Sequence, residues 1–331
     1  MRFIGSQTNP LAMATVVASD AAVIHPETVQ SVLGEEITVR RAEFNAEDDI
    51  IDAAADAAAL IVGVDDHVTA TVFEHCEQLR IVASAGVGVD NIDVEAAADH
   101  DVTVVNVPEY CTEEVSTHAV SLLLAGVRRL GVYDRAVERG QWNWQDGRPI
   151  HRLSEQTVGF LSFGKLAKHT AKKLDGFECD LVAADPYVGA EEMADYGVEE
   201  VAMDELLDHA DHVSIHAPLT EETQHLFDRE AFEKMSDMAV VVNVGRGPIV
   251  DEEALRWALE NDEIGAACVD VLDSESPEES PLAERDDVIM TPHAAFYSEE
   301  SVTDLNEHLA RDIQAVFNGT KPEGLIAPDG D

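Results

Sequence analysis

Long apolar runs are missing from this chain. No stretch of about 18 or more apolar residues occurs among its 331 residues, so no segment is expected to cross a bilayer as a helix. No basic-then-apolar leader opens it, and no secretory signal is expected. Residues 1–12 show no periodicity and read as a loose extension or a misassigned start. Cysteine is scarce: Cys76, Cys111, Cys179 and Cys268 lie far apart, and none pairs at C-x-x-C spacing. Buried, reduced thiols are expected, with neither a zinc nor any other metal site. Repeats and low-complexity linkers are also missing.

Positive charge is in shortest supply. The chain has 21 basic residues against 67 acidic ones, a net charge of -46, and only six lysines. A nucleic-acid partner needs a basic face, so this balance argues strongly against one. A small soluble domain manages with a net charge of roughly 2–8 in magnitude. The excess here is spread along the chain, which reads as a solvation strategy more than as an interaction tail. Such a surface repels itself at low salt, whereas a Debye length of about 3 Å in molar salt lets the repulsion fade. The expectation is a cytoplasmic protein of a salt-rich cell, as in a halophile, with an ordinary acidic protein as the alternative.

What is present is a regular alternation. Apolar runs at 14–18, 37–40, 59–64, 80–84 and 102–107 are separated by helical patterns such as 46–57 and 70–79. After Pro108, Thr112 can cap a longer helix to about Leu130, with Glu113 and Glu114 suiting its first turn. A second series of runs follows at 157–161, 180–184, 212–215, 239–244, 266–271 and 288–290, and a last helix spans about 299–317. Near-continuous apolar strands alternating with helices predict an α/β fold of two doubly wound parallel-sheet domains with a ligand cleft between them.

Gly159-Phe160-Leu161-Ser162-Phe163-Gly164-Lys165-Leu166-Ala167 runs from strand into helix. It fits G-x-G-x-x-G/A at Gly164 and Ala167, a spacing that lets a pyrophosphate approach a helix N-terminus. Ser162 stands where the first glycine normally makes the tight turn. Asp185 follows Gly164 by 21 residues, at the end of the next run. A carboxylate there accepts from a ribose 2′-hydroxyl and repels a 2′-phosphate, which favours NAD over NADP. An ordinary βα turn followed by an exposed aspartate would look the same. Lys165, Lys168, Lys172 and Lys173 are four of the six lysines. For all but Lys165 a solvated helix face is the simpler reading.

Three charged groups close successive runs of the second series: Arg246 in Val244-Gly245-Arg246-Gly247-Pro248, Glu275 after Val269-Asp270-Val271-Leu272, and His293 in Thr291-Pro292-His293-Ala294-Ala295. In a parallel sheet they share one edge. Each has a plainer reading, as a solvated acid, a surface ion pair or a structural histidine. These segments, with Ala85-Gly86-Val87-Gly88-Val89-Asp90-Asn91-Ile92-Asp93 and His216-Ala217-Pro218-Leu219-Thr220, resemble the D-isomer-specific 2-hydroxyacid dehydrogenase family from Met13 onward. Within it, Ala294-Ala295-Phe296-Tyr297-Ser298-Glu299 and Trp142-Asn143-Trp144 look like the C-terminal-binding-protein branch.

The resemblance implies a flavodoxin-like substrate domain at 1–108 plus 298–331, with a Rossmann NAD-binding domain inserted at 109–297. It implies Arg246 on the substrate carboxylate and carbonyl, His293 as proton donor and acceptor, and Glu275 paired with His293 to keep it charged. Backbone amides at Val87 and Gly88 would grip the carboxylate. Cofactor contacts are implied for Ser162, Gly164, Lys165, Leu166, Asp185, Ala217, Pro218, Val244, Gly245, Arg246, Asp270 and His293. His118, His216 and His225 also match family positions and read as packing or hydrogen-bonding residues. A proline usually follows the glutamate directly; here Ser276 intervenes, which leaves a neighbour open as the partner of His293.

For substrate, the loop Gly63-Val64-Asp65-Asp66 is acidic, with only Arg40 or Arg41 able to reach in as a base, and no further regulatory domain is expected after the last helix. A small unphosphorylated 2-oxo acid is therefore expected before D-3-phosphoglycerate. The other class is an NAD-gated interaction module of the co-repressor kind, but a scaffold need not keep Arg246, Glu275 and His293. A homodimer formed through the nucleotide domain is expected.

Overall fold

A computed structural model describes residues 14–274, 276–283 and 285–327. The chain divides into two compact units. One takes in the described residues as far as Cys111 and those from Ser298 on; the other runs Thr112–Tyr297.

The first unit is built on five parallel strands: β1 Thr15–Ser19, β2 Thr38–Ala42, β3 Ala59–Val62, β4 Ile81–Ser84 and β5 Thr103–Val105. Their order is β2-β1-β3-β4-β5. β3 and β4 are buried along their whole length, which is why they read as unbroken aliphatic runs. One face is covered by helices Pro26–Leu33 and Glu299–Phe317, whose Leu305, Leu309 and Ile313 are fully buried beside Val16, Ile61 and Ile81. The other face holds Leu60, Val82, Val72 and Phe73.

The second unit has seven parallel strands: β6 Thr157–Leu161, β7 Asp180–Ala184, β8 Val198–Glu200, β9 His212–Ile215, β10 Val240–Asn243, β11 Ala266–Val269 and β12 Val288–Met290. Their order is β12-β11-β10-β9-β6-β7-β8. The chain winds outward from β6 through β8, then returns to β9 and winds the other way. The β6/β9 seam is thus the point where strand order reverses and where doubly wound folds take ligands.

Helix Thr112–Val127 lies on β10 and β11. A Cβ on Gly126 would fall 2.5 Å from Val240 Cγ1 and 2.9 Å from Cys268 Sγ, so the helix rests directly on the sheet at that point. The sequence predicts one helix to about Leu130, with Thr112 ahead of it as a cap. Instead Thr112 is its first helical residue, and a second helix, Leu130–Glu138, starts after Arg129 adopts a left-handed φ of 54°. The Arg129 guanidinium reaches the carbonyl of Gly265, which fixes the break.

Candidate active site

The second unit places its chemistry at the C-terminal strand ends. After β6, Ser162 takes a φ of 67°, the left-handed region that the usual glycine would enter freely. Gly164 then precedes helix Lys165–Leu174 as its N-cap, and no side chain caps the helix. A Cβ on Gly164 would meet nothing within 4 Å, so the leading amides of that helix are approachable. Ala167 is fully buried, as close helix–strand packing requires.

Asp185 directly follows β7 and turns back onto this turn. One carboxylate oxygen accepts from the Phe163 amide at 2.7 Å and the Ser162 hydroxyl at 3.0 Å. The other accepts from the amides of Tyr187 at 2.7 Å and Val188 at 3.1 Å. Burial opposes ionisation, but these four donors outweigh it and hold the carboxyl below its ordinary range. The lysines after the turn lie on the helix surface, as expected, and most make contacts there. Lys168 pairs with Glu192 at 2.5 Å, Lys173 pairs with Glu113, and the Lys172 ammonium lies 4.9 Å from the centre of the Tyr196 ring. With acids this abundant, two of these scarce ammonium groups find surface ion pairs.

Beyond the seam, His216 follows β9 with Nε2 2.9 Å from Ser214 Oγ, and its ring packs on Phe160 at 5.8 Å. Its Nδ1 is buried with no hydrogen-bond partner among the described residues. Burial drives this imidazole down to about 3, so it is neutral at pH 7. His118 bonds Thr291, and the His225 backbone amide donates to the Pro248 carbonyl. Ala217 is buried, whereas Pro218 is exposed.

After β10 the buried Asn243 organises the turn that carries Arg246. Its side-chain oxygen accepts from the Gly245 amide at 3.0 Å, and its amide donates to the Arg246 carbonyl at 2.9 Å. Val244 is buried and Arg246 half-buried, its guanidinium donating to the Gly245 carbonyl at 3.0 Å. Both flanking glycines are required. A Cβ on Gly245 would stand 2.7 Å from the Ala217 carbonyl oxygen, and one on Gly247 2.0 Å from that of Leu272.

Asp270 follows β11 and is 2 % exposed. It accepts from Thr291 Oγ at 2.6 Å and from the amides of Ala294 and Ala295 at 2.8 and 2.9 Å. Its backbone carbonyl accepts the His293 amide at 2.8 Å. Asp270, which the sequence suggests as a cofactor neighbour, thus fixes the loop after β12 that carries His293. His293 itself is left-handed at φ 48° and meets Phe296 edge-on at 6.4 Å. A non-glycine residue held there is strain that its surroundings must maintain. Glu275 lies outside the described residues. Sequence reasoning missed Asn243 and Thr291. The signal was there: a short polar residue at the very end of a buried apolar run.

The first unit offers a different device in the loop after β4. The Gly86 carbonyl accepts from the Val107 amide at 3.0 Å, the Val87 carbonyl from Asn106 Nδ2 at 2.5 Å, and the Gly88 carbonyl from Ser84 Oγ at 2.9 Å. A trans peptide points its N–H opposite to its C=O. Pinning three successive carbonyls therefore turns the amides of Val87, Gly88 and Val89 away from the unit's interior. None of the three meets an acceptor among the described residues. Successive amides left without an acceptor are the kind of donors that an anion-binding loop requires. Ser84 and Asn106, both buried, were also missed in the sequence.

The sequence profile of the D-isomer specific 2-hydroxyacid dehydrogenase, NAD binding domain, matches residues 120–295. The chain belongs to the D-isomer-specific 2-hydroxyacid dehydrogenase family. It is 33 % identical over 315 residues to a D-3-phosphoglycerate dehydrogenase of Methanocaldococcus jannaschii, covering 95 % of this chain and 59 % of that protein. It is 35 % identical to a glyoxylate reductase of Korarchaeum cryptofilum, covering 84 % of this chain and 85 % of the relative. This chain thus spans little more than half the length of the phosphoglycerate dehydrogenase. Among solved structures, the apo form of D-lactate dehydrogenase from Escherichia coli superposes with a TM-score of 0.82 at 25 % identity, covering 95 % of this chain and all of that one. The TT0316 protein of Thermus thermophilus gives 0.85 at 27 % identity, covering 95 % of this chain and all of that one. The family's NAD-binding domain contains the turn after β6, Asp185, Arg246 and His293. The uncapped helix behind Gly164, with open space where a Cβ would be, fits a pyrophosphate there.

Proposed function

We propose that this family member is an NAD(H)-dependent D-2-hydroxyacid dehydrogenase working as a 2-oxoacid reductase on a small unphosphorylated acid. The observation that carries the reading is that the nucleotide turn, Arg246 and His293 share the C-terminal edge of one sheet. Gly164, Lys165, Leu166 and Asp185 would hold the adenosine and pyrophosphate half of NAD, with Ser162 lining the same turn. Ala217, Pro218, Val244, Gly245 and Asp270 would border its nicotinamide. A bound nicotinamide would supply hydride transfer at the acid's second carbon.

This chain's own part is binding and proton movement. Arg246 holds the carboxylate and carbonyl oxygen through its planar fork. His293 donates a proton to that oxygen during reduction and takes it back during oxidation. Glu275 is paired with His293 on the strength of the resemblance. The Val87 and Gly88 amides grip the carboxylate. The anion-binding loop after β4 supports that assignment.

The names of several relatives, the Methanocaldococcus jannaschii protein among them, favour a second reading, oxidation of D-3-phosphoglycerate. Against it stands the loop after β3. Gly63 has no room for a side chain, since a Cβ would lie 2.8 Å from Ala21 Cβ, and its amide donates to the Asp66 carboxylate at 2.7 Å. The loop thus carries acids and no base, whereas a phosphate needs a basic partner. The test is NADH oxidation with a panel of 2-oxo acids, including glyoxylate and 3-phosphohydroxypyruvate, in molar salt. Turnover on a small acid is expected. Turnover on the phosphorylated acid alone selects the second reading, and none at all with NADH bound removes the enzyme reading.

The same proposal places the protein in a salt-rich cytoplasm as a homodimer. The acid excess supports the first part. Exposed Leu130, Val137, Trp142 and Trp144 in the second unit support the second, as apolar surface in want of cover. Full activity in dilute buffer, or a monomer by light scattering in salt, would count against these parts.

A further inference from the structure

Asp185 has no acceptor position to spare. An ionised carboxylate offers about four lone-pair sites, two on each oxygen. In this structure all four are taken, by Ser162 Oγ, the Phe163 amide, and the amides of Tyr187 and Val188. Three of those donors are backbone groups, fixed by the strand end and the turn. The fourth is a hydroxyl on a single rotatable bond. It comes from the residue that stands in the first glycine place and that holds a left-handed φ of 67° without being glycine.

We infer that Ser162 occupies the acceptor site on Asp185 that an incoming ribose hydroxyl needs, so that the serine competes with NAD for its own specificity carboxylate. The inference rests on the reading of this turn as the cofactor site. A ribose hydroxyl can donate to Asp185 only where a present donor gives way, and only the Ser162 hydroxyl can turn aside without unfolding the turn. The three backbone amides would still hold the carboxylate after Ser162 lost its hydroxyl. Removing the hydroxyl therefore opens an acceptor site without releasing the side chain. Ser162 thus acts as a specificity-determining residue that lowers affinity for the dinucleotide carrying a free 2′-hydroxyl. A 2′-phosphate has no hydroxyl to donate there and gains nothing from the opened site.

The test is titration of the full chain in molar salt with NADH and NADPH, followed by nucleotide fluorescence, for the wild type, Ser162→Ala and Ser162→Gly. Both variants should bind NADH roughly three- to tenfold more tightly, the factor set by one net hydrogen bond. NADPH affinity should stay as it was, so the NADH preference widens by the same factor. The alanine variant keeps the Cβ in the left-handed turn, whereas the glycine variant relieves it. Tightening in Ser162→Gly alone would trace to backbone relief and overturn the inference. So would equal or weaker NADH binding in both variants, or equal tightening for both dinucleotides. If the wild type bound neither dinucleotide, the cofactor reading would fall and this inference with it; binding without the predicted pattern sinks the inference alone.

Discussion

The two parallel sheets finish their strands in different materials. At the edge of the five-stranded sheet, the loop after β4 leaves three successive peptide amides without an acceptor among the described residues, with Ser84 and Asn106 holding the carbonyls down. At the edge of the seven-stranded sheet, charged side chains stand in the open positions, each on a turn fixed by a buried polar residue. Asn243 fixes the Arg246 turn and Asp270 the His293 loop. A row of amides can bind an anion but has no proton to exchange near pH 7. An imidazole and a guanidinium can move a proton and hold a carbonyl, but need support to stay in place. Under the proposed function, the amides after β4 would do the gripping and the side chains of the second unit the reacting.

The largest effect should come from breaking the reacting edge. His293→Ala should lower kcat by about 10²–10⁴, with NADH affinity within severalfold of normal. Steady-state NADH oxidation checks this, and near-normal kcat would show that the proton comes from elsewhere. The seven-stranded unit should also be sensitive to acid. His212, whose Nδ1 accepts from the Val240 amide, is pushed down to about 4 by burial, and His216 to about 3. Unfolded, both titrate near 6.5. Below that value the unfolded chain takes up protons that the folded unit refuses, so the stability held at neutral pH falls as pH drops toward 4. Two protons give a slope of up to about 2.7 kcal/mol per pH unit. Denaturant unfolding at pH 7, 6 and 5 in constant salt should show a shallower dependence for the His212→Gln, His216→Gln double variant. Equal slopes would mean that other groups govern the transition.

A smaller effect sharpens the comparison, because each edge has a glycine set tightly against a carbonyl. A Cβ at Gly247 would lie 2.0 Å from Leu272 O, and one at Gly324 1.9 Å from Asn106 O. Alanine at either should destabilise by about 1–3 kcal/mol, as overpacking does. The kinetic signatures should differ: Gly247→Ala disturbs Arg246 and lowers kcat, whereas Gly324→Ala disturbs Asn106 and raises KM. Thermal unfolding and steady-state kinetics on both variants check this, and identical kinetic defects would erase the proposed division.

Much of this was legible from the residues because buried parallel strands announce themselves. β3, β4, β10 and β11 are short aliphatic runs, and their ends could be read as one edge. Arg246 and His293 stood out as charges at those ends. What stayed hidden depends on contacts between distant segments. β8 is three residues at a sheet edge, two of them exposed glutamates, and carries no apolar signal. The helix break at Arg129 has no proline or glycine at the turning residue and is fixed by the Gly265 carbonyl. Asp185 could be seen, but not that Ser162 and three amides fill its acceptors. Ser84, Asn106, Asn243 and Thr291 are small polar residues whose roles appear only when the carbonyl or carboxylate they hold is known.

The smallest expected effect is the one that separates gripping from reacting most cleanly. Ser84→Ala and Asn106→Ala each remove one hydrogen bond from a carbonyl whose peptide presents a free amide. The loop would keep its remaining anchors, so it should loosen without collapsing. Each change should raise KM for the 2-oxo acid about two- to tenfold, the range of one net hydrogen bond, while kcat and NADH affinity hold. Ground state and transition state carry the same carboxylate, so a weakened grip should be felt equally in both. A fall in kcat at unchanged KM would reverse the assignment. It would mean that the amides after β4 serve charge that appears only during reaction, and that the five-stranded unit takes part in the chemistry.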